Sequence, residues 1–427
     1  MSCFNKIFER LICRQLLAFL EKYKLLYKFQ FGFRERYSTI LALTEITDKI
    51  RCLLDGGNYA LGLFLDLKKA FDTVNHEILL YKLDHYGIRG HANNFFRSYL
   101  SNRNQFTVTG TQKSSVREIT CGVPQGSVLG PILFLIYVND LGYATGEDIT
   151  RLFADDTGLF TYDKNLTTLI NKSKEIYSCL FKWCLYNGLS VNYSKTSFIL
   201  FHTRNKPVPR DFTDINVDGI KISRTEVIKY LGLYIDEKLT WNYHVEHLCK
   251  SLVKFFGMFK KVRYCITQKL CRQIYYAFIY SRISYGIEIY GSCTDKLLSR
   301  LQVIQNKLLK FLLKQDSRTP TSTLHYNMKI LKIKHIYETN ILNFVKNCLN
   351  DYYPETYRDY FTFRPQLYNM RREHLHIPFF RTNVGRASTK CKGAELWNKL
   401  SECCRSRSAY KSFKRHITQC YIKQYMP

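Results

Sequence analysis

The sequence predicts a mixed α/β (α+β) fold, and three observations carry that prediction. Tyr59 to Leu65 is a nearly continuous apolar run between a turn signal, Asp55-Gly56-Gly57-Asn58, and the carboxylate Asp66, which reads as a buried strand. Arg151 to Phe160 brings apolar residues up to the adjacent acids Asp155 and Asp156 and then returns to Leu159 and Phe160. That is the pattern of a tight β-hairpin with both acids at its tip. From Val245 onward the texture changes to helical periodicity over 245–262, 268–290 and 295–314. At 427 residues the chain is long enough for two or three packed regions. Its hydrophobic content of 46% and aromatic content of 15% suffice for real cores.

Taken in order, residues 5–27 show helical spacing (Ile7, Leu11, Leu16, Leu20) decorated with basic side chains. Gln30-Phe31-Gly32-Phe33-Arg34 breaks that pattern, and Ser38-Thr39 can cap a second helix running through Arg51. After the strand, Asp72 is the expected N-cap of a helix to Tyr86, with Gly87 as its stop. Cys121-Gly122-Val123-Pro124-Gln125-Gly126-Ser127 is a Gly/Pro loop opening an apolar helix from Val128 to Leu141. Backbone N–H groups at such a start can approach a phosphate or a sugar. Residues 163–186 read as an amphipathic helix ended by Asn187-Gly188. Strands are expected at Leu189–Tyr193 and Phe198–Phe201 around Lys195-Thr196, and at Tyr230–Ile235 after a basic loop. In the last long helix Lys307, Lys310 and Lys314 flank Leu308, Leu309 and Leu312, a face that reads equally as solvated surface or nucleic-acid contact.

The net charge of +29 makes phosphate backbones the natural partner, with aromatic rings available for base stacking; an anionic membrane surface is the weaker alternative. Residues 321–427 continue the trend with 19 Lys+Arg against 7 Asp+Glu. The longest apolar run, Val128 to Val138, is far too short to span a bilayer, and Met1 to Lys24 lacks a signal-peptide layout. An irregularly spaced set of 15 cysteines suggests reduced thiols, hence a soluble protein of the nucleus or cytoplasm. Cys391, Cys403, Cys404 and Cys420 match no zinc-ligand spacing.

Individually the acids have bland readings. Asp155-Asp156 can be an exposed turn, and Asp66 a strand-end cap. Together, with the Gln-Gly loop between them, they point further. Three carboxylates gathered at one end of a small sheet would hold two divalent metals about 3.5–4 Å apart. Such a site activates a 3′-hydroxyl and neutralises a triphosphate, which is nucleotidyl transfer.

The order of these segments resembles the reverse transcriptases of non-LTR (LINE-type, Jockey-like) retrotransposons. Gln30-Phe31-Gly32-Phe33-Arg34 with Ser38-Thr39 is similar to the fingers motif of that family, and Phe64 to Asp72 to motif A of its palm. Gly122-Val123-Pro124-Gln125-Gly126-Ser127-Val128-Leu129-Gly130-Pro131 resembles motif B almost letter for letter, and Phe153-Ala154-Asp155-Asp156 is similar to the catalytic box, motif C. Gly188-Leu189-Ser190-Val191-Asn192 with Lys195-Thr196 resembles motif D, and Tyr230-Leu231-Gly232 resembles motif E, the primer grip. Residues 381–415, with Gly393-Ala394-Glu395-Leu396-Trp397-Asn398, look like the tail of these proteins.

The resemblance implies a right-hand polymerase: partial fingers (1–58), a palm with an antiparallel sheet (59–240), a helical thumb (241–320) and a basic, mainly helical C-terminal region (321–427). It also implies an RNA-directed DNA polymerase that adds dNTPs to a DNA primer on an RNA template, with two Mg²⁺ ions for which Mn²⁺ can substitute. By matching position, Asp66, Asp155, Asp156 and the carbonyl of Leu67 would hold the metals, and Lys195 would protonate pyrophosphate. Phe71 would be the steric gate against a ribose 2′-hydroxyl. Gln125 and Gly126 would lie against the incoming nucleotide, and Arg34 would touch its triphosphate. Ala154, Leu231 and Gly232 would meet the primer. The chain departs from the family in carrying no N-terminal endonuclease and in beginning inside the first fingers motif, at Cys3 to Arg10. It therefore reads as N-terminally truncated and dependent on a separate endonuclease for a nick. The alternative is a catalytically idle remnant that at most binds nucleic acid.

Overall fold

The computed structural model describes residues 3–146, 148–262, 264–265, 267–364, 374–405 and 410–426. Two compact units form. The first comprises Met1–Ala42, Tyr59–Leu200 and Pro207–Thr225; the second comprises Leu43–Asn58, Phe201–Lys206 and Glu226–Pro427.

The first unit opens with α1 (Cys3–Lys22), which buries Leu16 and Leu20. The helix α2 (Thr39–Asp55) starts here, where Ser38 Oγ accepts from the Leu41 amide at 3.3 Å, and continues into the second unit. β1 (Tyr59–Leu65) is buried along its whole length, as its unbroken apolar sequence requires. A single 3₁₀ turn, Ala70–Asp72, then precedes α3 (His76–His85). Asn75 and not Asp72 caps that helix, its side chain accepting from Ile78 N at 3.1 Å. Lys69, in the left-handed region at φ 50°, spends the intervening residues on the 3₁₀ turn and delays the helix start.

Next come α4 (His91–Leu100) and four exposed two-residue strands: β2 (Asn104–Gln105), β3 (Val108–Thr109), β4 (Gln112–Lys113) and β5 (Arg117–Glu118). The apolar helix expected from Val128 begins at Gly130 as α5 (Gly130–Val138) and resumes as α6 (Leu141–Ala144). Asn139 stands at the break. Its buried amide accepts from Tyr27 N at 2.7 Å and donates to Leu25 O at 2.8 Å.

Then follow β6 (Thr150–Phe153), β7 (Asp156–Asp163) and α7 (Leu166–Tyr186), the last capped by Asn165. The remaining strands are β8 (Ser197–Phe201), β9 (Asp214–Val217) and β10 (Ile220–Arg224). The six-stranded sheet has the order β6-β7-β1-β8-β10-β9. β1 pairs antiparallel with β7, and β6 with β7, whereas β10 runs parallel to β8. The sheet is therefore mixed and not wholly antiparallel. Of the strand expected at Leu189–Tyr193, only a bridge between Val191 and Leu67 forms. Leu61, Leu63 and Leu65 of β1 join Leu79 and Leu83 of α3, Leu133 and Tyr137 of α5, and Leu169 and Tyr177 of α7 in one core. Each such side chain taken from water contributes about 1.5–3 kcal/mol, enough in sum to fix the sheet's register.

In the second unit the segment expected as a single strand at Tyr230–Ile235 is a hairpin, β11 (Val227–Tyr230) and β12 (Leu233–Asp236). Leu231 and Gly232 form its two-residue turn with φ 42° and 83°, the double left-handed geometry that matches strand twist. The helices are α8 (Asn242–Val262), α9 (Gln268–Ile274), α10 (Ser281–Ser284), α11 (Ile287–Tyr290) and α12 (Asp295–Leu312). The continuous helix expected over 268–290 widens to π-helix at Tyr275–Tyr280 and breaks at Tyr285-Gly286. Tyr285 is extended there, and its hydroxyl donates to Leu231 O at 2.6 Å.

Further on lie α13 (Thr321–Met328), α14 (Ile333–Leu349), α15 (Asn383–Arg386), α16 (Thr389–Lys399), α17 (Glu402–Arg405) and α18 (Tyr410–Lys423). Residues 365–373 and 406–409 of the expected C-terminal region lie outside the described residues. Asp48 of α2 accepts from the amides of Thr389 at 2.9 Å and Lys390 at 3.0 Å at the start of α16, and from the Tyr360 hydroxyl. Asp55 likewise accepts from Thr382 N and Oγ1, both at 2.7 Å. Among the described residues, no helix is long and apolar enough to cross a membrane.

Candidate active site

The β6–β7 hairpin pairs Phe153 with Asp156, so its two-residue turn is Ala154-Asp155. Ala154 sits at φ 57°, a position that a two-residue turn normally gives to glycine, at a cost of about 1–2 kcal/mol. The first chain segment holds that turn in place. Residues 29–31 lie alongside β6 in a parallel bridge (Gln30 to Leu152), with Phe31 N donating to Leu152 O at 2.7 Å and Leu152 N to Phe29 O at 3.0 Å. The buried Gln30 accepts through Oε1 from Gly32 N at 2.8 Å and Ala154 N at 3.2 Å. Gly32 packs so closely that a Cβ on it would stand 2.5 Å from Ala154 N.

The sheet register brings the acids together. Leu65 of β1 stands opposite Thr157 of β7, so the next step sets Asp66 opposite Asp156. Asp155 and Asp156 are exposed, and Asp66 is half-exposed. Partial desolvation, with the charges of Asp155 and Asp66 adding to it, pushes the Asp156 carboxyl up from 3.8 to about 6. Three carboxylates gathered at one sheet end suit hard cations with oxygen ligands.

The Ser190–Thr196 segment anchors Asp66. Asn192 donates from Nδ2 to Asp66 Oδ2 at 2.8 Å and from its amide to Asp66 O at 2.8 Å, while Asp66 N donates to Thr196 Oγ1 at 3.3 Å. Lys195 Nζ lies 4.0 Å from Asp66 Oδ2 and is largely exposed. Leu67 forms the bridge to Val191.

The Gly-Pro loop before α5 docks on the turn that follows Asp66. Val123 N donates to Phe71 O at 2.9 Å, and Gln125 Nε2 donates to Asp72 Oδ1 at 2.8 Å. Gly122, at φ 84°, leaves no room for a side chain, because a Cβ would stand 2.7 Å from Asp72 O. Phe71 is half-buried and stacks on the fully buried Phe134 at 4.3 Å between centroids, with Phe33 edge-on at 6.3 Å. Gln125 and Gly126 are exposed. The amides expected to face a phosphate are partly engaged within the protein. Val128 N donates to Glu9 Oε2 at 2.5 Å and Gly130 N to Ser127 Oγ at 2.9 Å.

A family profile described as "Reverse transcriptase (RNA-dependent DNA polymerase)" matches residues 1–235, more than half of the chain. The chain belongs to the reverse transcriptase family. The RNA-directed DNA polymerase from mobile element jockey of Drosophila melanogaster is similar at 28% identity over 77% of this chain and 36% of its own length. Its counterpart in Drosophila funebris is 29% identical over the same shares. The probable RNA-directed DNA polymerase from transposon X-element of Drosophila melanogaster is 26% identical, again over 77% and 36%. The chain thus spans little more than a third of the length of those relatives.

Within the first unit Asp66, Asp155, Asp156, Lys195 and Leu67 come together, with Ala154, Phe71, Gln125 and Gly126 on the adjoining turns. Arg34 has other work. Its guanidinium pairs with both oxygens of Glu21 at 2.9 Å, donates to Tyr27 O at 3.2 Å, and lies over the Tyr37 ring. With its side chain 7% exposed, Arg34 clamps the segment that follows α1. Leu231 and Gly232 belong to the hairpin of the second unit. Sequence reasoning assigned no role to Asn192, Thr196, Gln30 or Glu9. Asn192 and Gln30 carried a signal only through their places in segments that resemble family motifs.

Proposed function

We propose that the chain is the polymerase part of a non-LTR retrotransposon protein, adding dNTPs to a DNA primer 3′-hydroxyl on an RNA template. The observation that carries this reading is the set Asp66, Asp155 and Asp156 at one sheet end, with Asp156 raised to about 6 by its surroundings. Asp66, Asp155, Asp156 and the carbonyl of Leu67 would hold two Mg²⁺ ions, or Mn²⁺ in their place. When bound, divalent ions lower the charge on triphosphate and 3′-hydroxyl oxygens.

The protein's own residues do the rest. Asn192 and Thr196 fix the Asp66 backbone and carboxylate, so little reorganisation is left for the reaction. Lys195, exposed and beside Asp66, is in reach to give a proton to departing pyrophosphate. Phe71, backed by Phe134, presents a ring that excludes a ribose 2′-hydroxyl. Gln125 and Gly126 form the open edge against which the incoming base and sugar lie, Ala154 meets the primer end, and Leu231-Gly232 grips the primer. Arg34 is left out because its donors are engaged. We assign 1–58 to the fingers, 59–240 to the palm, 241–320 to a thumb along the hybrid backbone, and 321–427 to a basic C-terminal region. A separate endonuclease supplies the nick.

The test is primer extension on poly(rA)/oligo(dT) with Mg²⁺ and dTTP, alongside Asp155→Asn. Extension by the wild type, lost in Asp155→Asn while hybrid binding persists, supports the assignment. Folded, hybrid-binding wild type that extends nothing overturns it and leaves nucleic-acid binding alone.

A further inference from the structure

We infer that Cys404, His416 and Cys420 form a zinc site that staples α17 to α18. These three side chains bring one ligand atom each within 4.8 Å of one another. His416 and Cys420 stand four residues apart on α18 and so share a face, and Cys404 reaches them from α17. His416 Nε2 lies 3.2 Å from Cys404 Sγ and 3.5 Å from Cys420 Sγ. A tetrahedral ion with Zn–S near 2.3 Å and Zn–N near 2.0–2.1 Å sets sulfur and nitrogen about 3.5–3.6 Å apart, close to these separations.

The cluster is over-subscribed as a set of neutral groups. One imidazole nitrogen has one lone pair, or one proton, to share between two thiols. A zinc ion resolves this by taking a lone pair from each of the three atoms, with the two thiols giving up their protons to solvent. Ser401 Oγ, 3.2 Å from Cys404 Sγ, donates to the sulfur and would stabilise it as thiolate. Cys404 is buried, and His416 and Cys420 are half-buried, so water can take the fourth position. Sequence spacing hid the site. Only Cys404 and Cys420 of the four cysteines weighed for zinc spacing belong to it, and the histidine between them carries the geometry. Cys391 lies apart, its Sγ 3.5 Å from Glu395 Oε1.

The probe is Co²⁺ added to the reduced full-length chain. The expected result is one thiolate-bound ion per chain, with thiolate-to-cobalt charge transfer and the intense visible bands of a tetrahedral site, displaced by Zn²⁺. Cys420→Ser and His416→Ala should abolish the charge-transfer band with the circular dichroism unchanged. His416→Cys should restore a band, and Asp155→Asn should leave the wild-type spectrum intact. The inference is overturned if the wild type shows no charge transfer, or if Cys420→Ser retains it. A Cys404–Cys420 disulfide found by mass spectrometry in place of metal binding would overturn it equally.

Discussion

Asp156 is the residue whose acidity its neighbours alter most clearly at the site. Its carboxyl is raised from 3.8 to about 6 in the metal-free protein. The sign follows from linkage. An acid with a raised folded value contributes its full stability below 3.8 and loses it as pH rises through about 6. A divalent cation reverses this by favouring the charged form, so its binding releases a proton near pH 6 and weakens below it. Mg²⁺ should therefore raise the melting temperature more at pH well above 6 than well below it, and Asp156→Asn should remove the difference. Equal Mg²⁺ shifts on both sides of pH 6 in the wild type would count against the linkage. At this scale Asp66, Asp155 and Asp156 were legible because each ends an apolar run. The partners of those acids were not. Whether Asn192 bonds Asp66 depends on which distant segments meet, and no local pattern states that.

At the scale of elements, the segment Gln30–Phe33 is a buttress for the Ala154-Asp155 turn. It supplies the amide acceptor and the bare Cα that Ala154 needs to hold its left-handed backbone. Gly32→Ala should displace the turn, and misplacement by about 1 Å typically costs about 100-fold in rate. Gln30→Ala leaves two buried amides short of an acceptor, a loss of about 1–3 kcal/mol each. Both variants should lose kcat far more than circular dichroism, with KM for dTTP changed little. Unimpaired turnover in Gly32→Ala would show that the turn tolerates the shift.

Strong local patterns made several elements readable: β1 by its unbroken apolar run, α7 by its period, and the β6–β7 hairpin by its paired acids. The β9–β10 hairpin escaped notice although its turn, Asp218-Gly219, carries a standard hairpin dipeptide, with φ 51° and 83°. Its strands alternate buried and exposed residues over only a few positions, too few to stand out from the basic loop around them. β11 and β12 merged into one expected strand because Leu231 is apolar and conceals the turn.

At the scale of the whole molecule, the second unit is assembled from chain segments far apart in sequence. Asp48 is one of its fasteners. Packed beside the buried Arg51, whose guanidinium bonds Ser292 Oγ at 2.8 Å and the Ala387 carbonyl, it caps α16 and receives the Tyr360 hydroxyl. Asp48→Ala leaves Arg51 uncompensated in the interior and should destabilise the second unit by about 3–5 kcal/mol. Trp241 and Trp397 report on that unit in a Trp183→Phe background, read by denaturant unfolding. An unchanged midpoint would show that Asp48 is dispensable. The resemblance of residues 381–415 to a family tail said nothing of this role, because a cap on a helix is visible only once its partner helix is placed.

The central strand β1 also has a history during synthesis. All seven of its residues end up buried, yet β7, its antiparallel partner, lies about a hundred residues later in the chain. At about 5–20 residues per second, a ribosome leaves Tyr59–Leu65 without that partner for about 5–20 seconds. An apolar, β-prone heptapeptide with no charge of its own is then a sticky nascent segment. Asp66, Lys68 and Lys69 follow it immediately, and flanking charge is how sequences keep such segments from associating. The acid that serves the finished site thus also helps guard the strand while it waits for β7.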